Sequence, residues 1–225
     1  MQDLIAALQA APFWAQVGMA FFALTFLAMV IEPQVGHRRA RRRFAALAAA
    51  RGAAITPGYD AFAASFPIAD AGRSFTVTRE LRVGSRSTSY RGPRGHLLIV
   101  ETPLAGSRWT SHGVDIAQRG SLAKALSSPM KSGDTVFDDR FTVWQDGVPV
   151  REGWLDEAAR RAVTALFDLP ALAGDGTLWV QEGRLQFLCD RPSAIDDAAL
   201  TALVAALASV AAQFERTAGW RGPAV

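Results

Sequence analysis

An uncharged apolar run followed by a basic cluster dominates the N-terminal part of the sequence. Nineteen residues from Phe13 to Ile31 carry no formal charge, and the segment from His37 to Arg43 reads HRRARRR. As an α-helix with a rise of roughly 1.5 Å per residue, the run is about 28 Å long, close to the roughly 30 Å hydrocarbon thickness of a bilayer. Its apolar character extends around the whole helix, which favours lipid surroundings over a soluble core. The sequence therefore predicts a transmembrane anchor over residues 1–32.

A cleaved signal peptide is the alternative interpretation of the same segment. Such a peptide places its basic residues before the apolar core and a small-residue cleavage site after it. Here the basic residues follow the core, and Glu32-Pro33-Gln34 is not a site of the Ala-x-Ala type. We therefore expect a retained anchor, and we expect Pro33 to bend or end the helix as it leaves the membrane.

The arginine distribution predicts the orientation of this anchor. The five arginines after the run are Arg38, Arg39, Arg41, Arg42 and Arg43. The residues before the run carry only Asp3 and the terminal amine. Because basic residues beside a span stay preferentially on the cytoplasmic side, we expect a single-pass protein of the inner (cytoplasmic) membrane. Its N-terminus would lie outside and its C-terminal domain in the cytoplasm, with the five arginines contacting anionic lipid headgroups.

Small residues recur along the anchor. Ala11, Gly18 and Thr25 follow one another at intervals of seven residues. Small side chains let a second transmembrane helix approach closely. We therefore expect a helix-packing face at these positions, with subunits of a membrane protein complex as partners.

The positive charge of the chain is concentrated beside the anchor. Residues 1–51 hold six arginines and two acidic residues, which leaves 18 basic and 19 acidic residues for positions 52–225. A nearly neutral C-terminal part argues against nucleic acid as a partner, since such binding requires a basic patch on a recognisable fold. The single cysteine, Cys189, excludes an intramolecular disulfide and a metal site with several cysteine ligands. We expect no cofactor.

Hydrophobic periodicity predicts an α+β domain over residues 71–225, which follows a basic juxtamembrane helix and linker over residues 33–70. Alternating apolar residues predict a strand at 74–83. Further strands are expected at 88–91, at 96–102 as a more buried strand, and at 141–144 before an Asp-Gly turn, with a hairpin at 177–188. Helical spacing predicts helices over 155–169 and 196–218. Residues 52–70 lack a steady period and are expected to form a linker or a loosely patterned helix. The combination predicts an antiparallel sheet with two helices on one face.

Two segments of the domain carry opposite charge. The balance is +5 between Arg73 and His112 and −5 between Ser132 and Glu157. If the fold keeps the two segments apart, the domain is electrically polar, and its basic face would orient it against headgroups or an acidic partner. A mixed surface with interleaved charges is the alternative.

A short motif precedes the strand predicted at 141–144. It reads Gly133-Asp134-Thr-Val-Phe137-Asp138-Asp-Arg-Phe141, and a helix with Ala-Arg-Arg and a Leu-Trp-Val…Gly-Arg-Leu hairpin follow it. With these features, residues 70–215 resemble a widespread group of bacterial single-pass membrane-anchored proteins that share a Gly-Asp-x-x-Phe-Asp-x-x-Phe signature and have no assigned activity. The resemblance implies the architecture and no catalytic or binding site.

The motif itself has two interpretations. In the structural one, Phe137 and Phe141 pack into the core, and Asp134 or Asp138 accepts backbone N–H groups in a turn. In the functional one, Asp134, Asp138 and Asp139 form a carboxylate site. A calcium loop places oxygen ligands at alternate positions and ends in a bidentate Glu, and this spacing has neither feature. The sequence favours the structural interpretation.

Two classes of function remain. The first is a non-enzymatic accessory or assembly subunit of a larger inner-membrane complex, for which a respiratory or photosynthetic complex is a natural host. The second is a membrane-tethered enzyme of unknown reaction, with a site near His112 and the three aspartates of the motif. His112 and Asp115 offer a general base, but the spacing indicates no nucleophile beside them. The sequence therefore favours the accessory subunit.

Overall fold

The structure is a computed structural model that describes ten stretches of the chain. These are residues 12–59, 63–70, 72–82, 95–105, 114–118, 131–145, 155–172, 176–181, 183–189 and 191–216. The chain divides into two compact units, the first ending at Arg43 and the second beginning at Phe44. The second unit contains the sheet and the helices that pack on it.

One long helix, α1 (Phe13–Ala50), contains both the predicted anchor and the predicted basic helix. Pro33 does not end it, and a bend at Pro33 stays a prediction. A proline removes one backbone hydrogen bond, but the Ala-, Arg- and Leu-rich sequence that follows strongly favours the helix. Gly52 ends it with a positive φ of 60°, while the Ala53 N–H donates to the Ala48 carbonyl at 2.9 Å. This is the glycine-based C-cap expected where the chain must leave a helix sharply.

Within the described stretches, eight strands form one sheet in which all the neighbouring strand pairs are antiparallel. The strand predicted at 88–91 lies outside the described residues. The strands are β1 (Thr56–Pro57), β2 (Ala64–Asp70), β3 (Arg73–Arg82), β4 (Gly95–Pro103), β5 (Val114–Gln118), β6 (Phe141–Gln145), β7 (Thr177–Gln181) and β8 (Arg184–Cys189). Their order across the sheet is β1-β2-β3-β4-β8-β7-β5-β6. The predicted α+β class with an antiparallel sheet is therefore confirmed.

Further helices accompany the sheet. They are α2 (Thr135–Arg140), α3 (Glu157–Phe167), a 3₁₀ turn (Pro192–Ala194) and α4 (Asp197–Arg216). α3 and α4 are the two predicted helices, but the count of two was too low. The six residues of α2 are too few to show a helical period, and the end of α1 also belongs to this unit.

The core lies between one face of the sheet and the helices. The strand register aligns Val77, Val100, Phe187, Leu178 and Ile116 in a row across five strands, and all five are fully buried. The buried residues of α3 and α4 belong to the same hydrophobic cluster. A sheet with helices packed on one face is a two-layer arrangement that buries the apolar surface of both layers.

The interpretation of residues 52–70 as a linker or loose helix was wrong, because β1 and β2 lie there. In β2, Phe66 and Ile68 are buried while Pro67 and Ala69 are exposed. This alternation is that of a strand with one face in the core. Proline and alanine on its outer face hid the pattern, since neither residue favours a strand.

α4 is a core helix. By length and composition alone it could cross a membrane, with a mean hydropathy of 1.6. Its large side chains nevertheless pack on the sheet; Leu200, Leu203, Leu207 and Phe214 are fully buried. The Asp196 carboxylate caps the start of the helix by accepting the Ala199 N–H at 2.8 Å.

Candidate functional site

The N-terminal part of α1 carries large apolar side chains that are exposed. Phe13, Trp14, Phe21, Phe22 and Phe26 are between 61% and 80% exposed. At about 100° of rotation per residue, Phe13 and Phe22 point to opposite sides of the helix. Aromatic surface exposed over roughly 220° of a helix circumference is unfavourable in water and indicates an apolar environment or partner.

The five arginines of the predicted lipid-contact cluster, Arg38, Arg39, Arg41, Arg42 and Arg43, are all exposed. At about 100° per residue they spread over roughly 200° of the helix circumference. Side chains on an α-helix also tilt toward its N-terminus, so these guanidinium groups lean toward the apolar run. A wide basic arc next to an apolar helix surface has the geometry for anionic headgroups that surround the helix.

The predicted helix-packing face is described in part. Ala11 lies outside the described residues. Gly18 and Thr25, seven residues apart, lie on one side of α1, and a Cβ added at Gly18 would meet nothing within 4 Å. The Thr25 hydroxyl donates to the Phe21 carbonyl at 2.7 Å, which satisfies its hydrogen bond within the helix, as lipid surroundings require. This side of α1 is free for a second helix, and the packing itself stays a prediction.

The last turns of α1 belong to the domain core. Phe44, Leu47 and Ala48 are buried, and the Phe44 ring lies 4.9 Å from the Phe66 ring of β2. The guanidinium of Arg79, a buried residue of β3, lies 5.8 Å from the centre of the Phe44 ring, within the range of a cation–π contact. Sequence reasoning missed this role, although the spacing of Phe44, Leu47 and Ala48 is that of one helix face.

Asp134 of the Gly-Asp motif caps the N-terminus of α2. Its Oδ1 accepts the N–H groups of Val136 at 3.0 Å and Phe137 at 3.1 Å, and its Oδ2 lies 3.2 Å from Arg160 Nε. Arg160 also donates to the Leu155 carbonyl at 2.7 Å. The Phe137 N–H, together with the Arg160 charge and the Val136 N–H, holds the pKa of Asp134 below its usual value despite the opposing effect of desolvation.

The remaining residues of the motif close the turn and fill the core. Asp138 is buried and accepts the Ser132 N–H at 2.9 Å. Phe137 and Phe141 are buried with ring centres 4.7 Å apart, and Phe141 lies 5.2 Å from Phe167 of α3. The structural interpretation of the motif is confirmed. Both aspartates act as acceptors for backbone N–H groups, and both phenylalanines act as core residues.

The alternative carboxylate site is not assembled from these aspartates. Asp134 and Asp138 face backbone N–H groups, whereas Asp139 is exposed on α2. Within the described stretches of chain, no group of three or more His, Cys, Asp or Glu residues is placed to hold a metal ion. His112 lies outside the described residues, so its part in an enzymatic site stays a prediction. Cys189 is buried in β8, as expected for a small core residue.

The fold separates parts of the two charged segments. β3 holds Arg73 and Arg79, and β6 and α2 hold the acidic motif, with β4, β8, β7 and β5 between them. Five spacings of about 4.8 Å place β3 and β6 about 24 Å apart. The net charge of the acidic segment is nevertheless reduced locally, because Asp134 pairs with Arg160 at 3.2 Å and Glu157 with Arg161 at 3.5 Å.

No protein-family model, curated protein or solved structure matches this chain. The resemblance to bacterial single-pass membrane-anchored proteins therefore remains a hypothesis that rests on the motif residues alone. Function has to be argued from the surfaces and contacts described above.

Proposed function

We propose that this chain is a single-pass membrane protein of the bacterial inner membrane that acts as a non-enzymatic accessory or assembly subunit of a larger membrane complex. The observation that carries the proposal is the surface of α1. Exposed aromatic side chains surround its N-terminal part, and five exposed arginines follow. Lipid tails cover the first surface and anionic headgroups bind the second, at about 1 kcal/mol for each arginine near the membrane.

The length of α1 fits this arrangement. Its 38 residues extend about 57 Å, roughly twice the length that the hydrocarbon region requires. Residues 13–31 would cross the bilayer, and the remainder of the helix would continue into the cytoplasm with the arginines nearest the membrane. Phe44, Leu47 and Ala48 then enter the core of the α+β domain, so the anchor helix itself becomes part of the domain.

The role as a subunit rests on what the anchor and domain offer to partners. The open side at Gly18 and Thr25 allows close approach of another transmembrane helix. In the Gly-Asp motif, Asp134 and Asp138 hold the backbone, so this segment supports the fold. Anchoring a folded domain beside other membrane subunits requires no chemistry of its own.

Membrane insertion and orientation are tested first. Full-length protein should stay in the membrane pellet after alkaline carbonate extraction. In an Ala165→Cys variant, whose substituted position is exposed on α3, an impermeant maleimide should label the new thiol only after the membrane is permeabilised. Replacing the five arginines by glutamine should produce mixed orientation, whereas replacing them by lysine should not, because positive charge sets the topology. Extraction into the soluble fraction would refute the anchor.

The subunit role needs a separate experiment. Native membranes are solubilised in a mild detergent, intact complexes are separated by size, and mass spectrometry identifies the proteins that migrate with this chain. Stoichiometric migration with a larger complex would support the proposal and identify the host. Migration alone, or only as a self-assembled species, would contradict it even if the anchor is correct.

A further inference from the structure

Four arginines of the basic cluster lack a counter-charge within the part of the chain that the structure describes. They are Arg38, Arg39, Arg41 and Arg42, which are exposed and make no hydrogen bond or ion pair with another described residue. The sequence from Pro33 to Tyr59 contains no acidic residue. In the second unit, by contrast, six arginines pair with carboxylates, namely Arg51, Arg73, Arg140, Arg160, Arg161 and Arg184.

Three of these arginines, Arg38, Arg41 and Arg42, form a compact group on one side of α1, which we call the arginine triad. At about 100° per residue, Arg41 lies about 60° to one side of Arg38 and Arg42 about 40° to the other. Side chains three and four residues apart on a helix are neighbours, with Cβ atoms about 5–6 Å apart. Like charges at this spacing repel one another, so an anion that contacts all three side chains relieves the repulsion.

The charge of the arginine triad favours one kind of anion. Guanidinium groups bind phosphate oxygens through paired N–H groups. A phosphodiester headgroup carries a single negative charge against the three positive charges of the triad. A terminal phosphate carries about −1.5 to −2 at neutral pH. A headgroup that ends in a phosphate therefore matches the triad better than a phosphodiester does.

The height of the arginine triad above the membrane narrows the choice further. With Ile31 at the edge of the hydrocarbon region, Arg38 lies about 10 Å and Arg42 about 16 Å beyond that edge. The headgroup layer of one leaflet is only about 5–8 Å thick. Because helix side chains lean toward the N-terminus, Arg38 reaches this layer, whereas Arg42 remains above it. A diphosphate matches this arrangement, since its terminal phosphate lies farther from the membrane than its first phosphate.

We propose that the arginine triad binds the headgroup of a lipid diphosphate. Arg38 contacts the phosphate next to the lipid chain, and Arg41 and Arg42 contact the terminal phosphate. The lipid chain lies beside the apolar part of α1. The inference rests on the proposed membrane anchor, because only a helix that crosses the bilayer holds the triad at this height. It adds a defined ligand to the general attraction between the arginines and anionic headgroups.

The test uses full-length protein in a mild detergent and two lipids that share one chain, polyprenyl diphosphate and polyprenyl monophosphate. Native mass spectrometry measures the fraction of protein that retains each lipid during a titration. The diphosphate should bind about tenfold more tightly, because it makes further charged contacts. Inorganic diphosphate is added as a competitor, and it should displace the lipid only at much higher concentration if the lipid chain takes part in binding.

Two double variants with the same loss of charge test the geometry. Arg38→Gln with Arg42→Gln removes two members of the arginine triad and should abolish the preference for the diphosphate. Arg39→Gln with Arg43→Gln keeps the triad and should retain the preference. Circular dichroism shows whether both variants keep their helix content.

Three results would overturn the proposal: equal affinity of the unsubstituted protein for the two lipids, equal effects of the two double variants, or competition by inorganic diphosphate at the concentration of the lipid itself. None of them touches the membrane anchor, which carbonate extraction and thiol labelling measure separately. If the anchor fails those tests, the argument from height fails with it.

Discussion

The guanidinium of Arg51 lies 2.9 Å from the carboxylate of Asp197, a residue 146 positions later in the chain. The same group donates to the Thr201 hydroxyl at 2.6 Å and to the Asp197 carbonyl at 3.0 Å. One side chain thus joins the end of α1 to the first turn of α4. The part of α1 that follows the basic cluster is held by the domain on two sides, by the core at Phe44 and by this ion pair.

Arg51→Met should destabilise the domain by about 1–2 kcal/mol, because it removes the hydrogen bonds of a charged donor whose own side chain is largely buried. Methionine retains the apolar stem, so the loss reports on the guanidinium. The measurement is urea unfolding of the full-length protein in detergent, followed by tryptophan fluorescence. Arg161→Met is the matched control, since that arginine pairs with Glu157 across 3.5 Å while both side chains are 73% exposed. The control should change stability by less than about 0.5 kcal/mol. Equal effects would show that Arg51 adds nothing beyond a surface charge.

The second unit should fold without the first. A chain beginning at Phe44 keeps the aromatic contact with Phe66 and the buried Leu47 and Ala48, and should show a cooperative thermal transition and near-ultraviolet circular dichroism. A chain beginning at Gly52 loses all of these, and the loss of one buried phenylalanine alone costs about 3–5 kcal/mol. That is a large part of the roughly 5–15 kcal/mol that holds a domain folded. The shorter chain should therefore be largely unfolded, and equal folding of both would contradict the boundary at Phe44.

The sequence predicted the elements whose pattern is set locally. β3 alternates apolar and polar residues, β4, β7 and β8 contain short apolar runs, and α3 and α4 show clear helical spacing, so each was found within a few residues of its ends. The elements that it missed depend on tertiary contacts. β2 contains a proline and alanines, and it is a strand because β3 pairs with it along its whole length.

The same distinction applies to the candidate sites, since some were found from the sequence and others only from the fold. The apolar run and the arginine cluster were identified from composition, and the sequence also predicted that both lie on a helix. The burial of Phe44 did not follow, because an Ala-rich helix after five arginines shows no sign of the strand against which it packs. Composition predicts an apolar helix surface, while a surface on a folded domain can be recognised only from the fold.

The capping role of Asp134 leads to a graded prediction. Asp134→Asn keeps an oxygen acceptor for the Val136 and Phe137 N–H groups and loses the charge that pairs with Arg160, whereas Asp134→Ala loses both. Unfolding in urea should therefore occur at a lower concentration for alanine than for asparagine, and at a lower concentration for asparagine than for the unsubstituted protein. Added salt should reduce only the difference between Asp134→Asn and the unsubstituted protein, because that difference comes from the lost charge. Identical midpoints for alanine and asparagine would show that the cap contributes nothing.

Glu215 should make the stability of the domain dependent on pH. Burial raises the pKa of Glu215, but the hydrogen bonds from Arg73 and from the Ala105 N–H, with the charge of Arg73, outweigh it and hold the pKa below the ordinary value of 4.5. The folded state therefore binds the proton less tightly than the unfolded state. The stabilising contribution of the Glu215 carboxylate is complete above its unfolded-state pKa. This contribution is lost as the pH falls through the lowered folded-state pKa.

Glu215→Gln should thus cost about 1–2 kcal/mol at neutral pH, where a charged acceptor is replaced by a neutral one. The difference from the unsubstituted protein should shrink as the pH falls below 4.5 and disappear once Glu215 is protonated. The measurement is a series of urea-unfolding curves across this pH range. Glu157→Gln, at the exposed start of α3, serves as the control and should show little difference at any pH. A Glu215→Gln effect that stays constant with pH would mean that the side chain acts through packing and not through its charge.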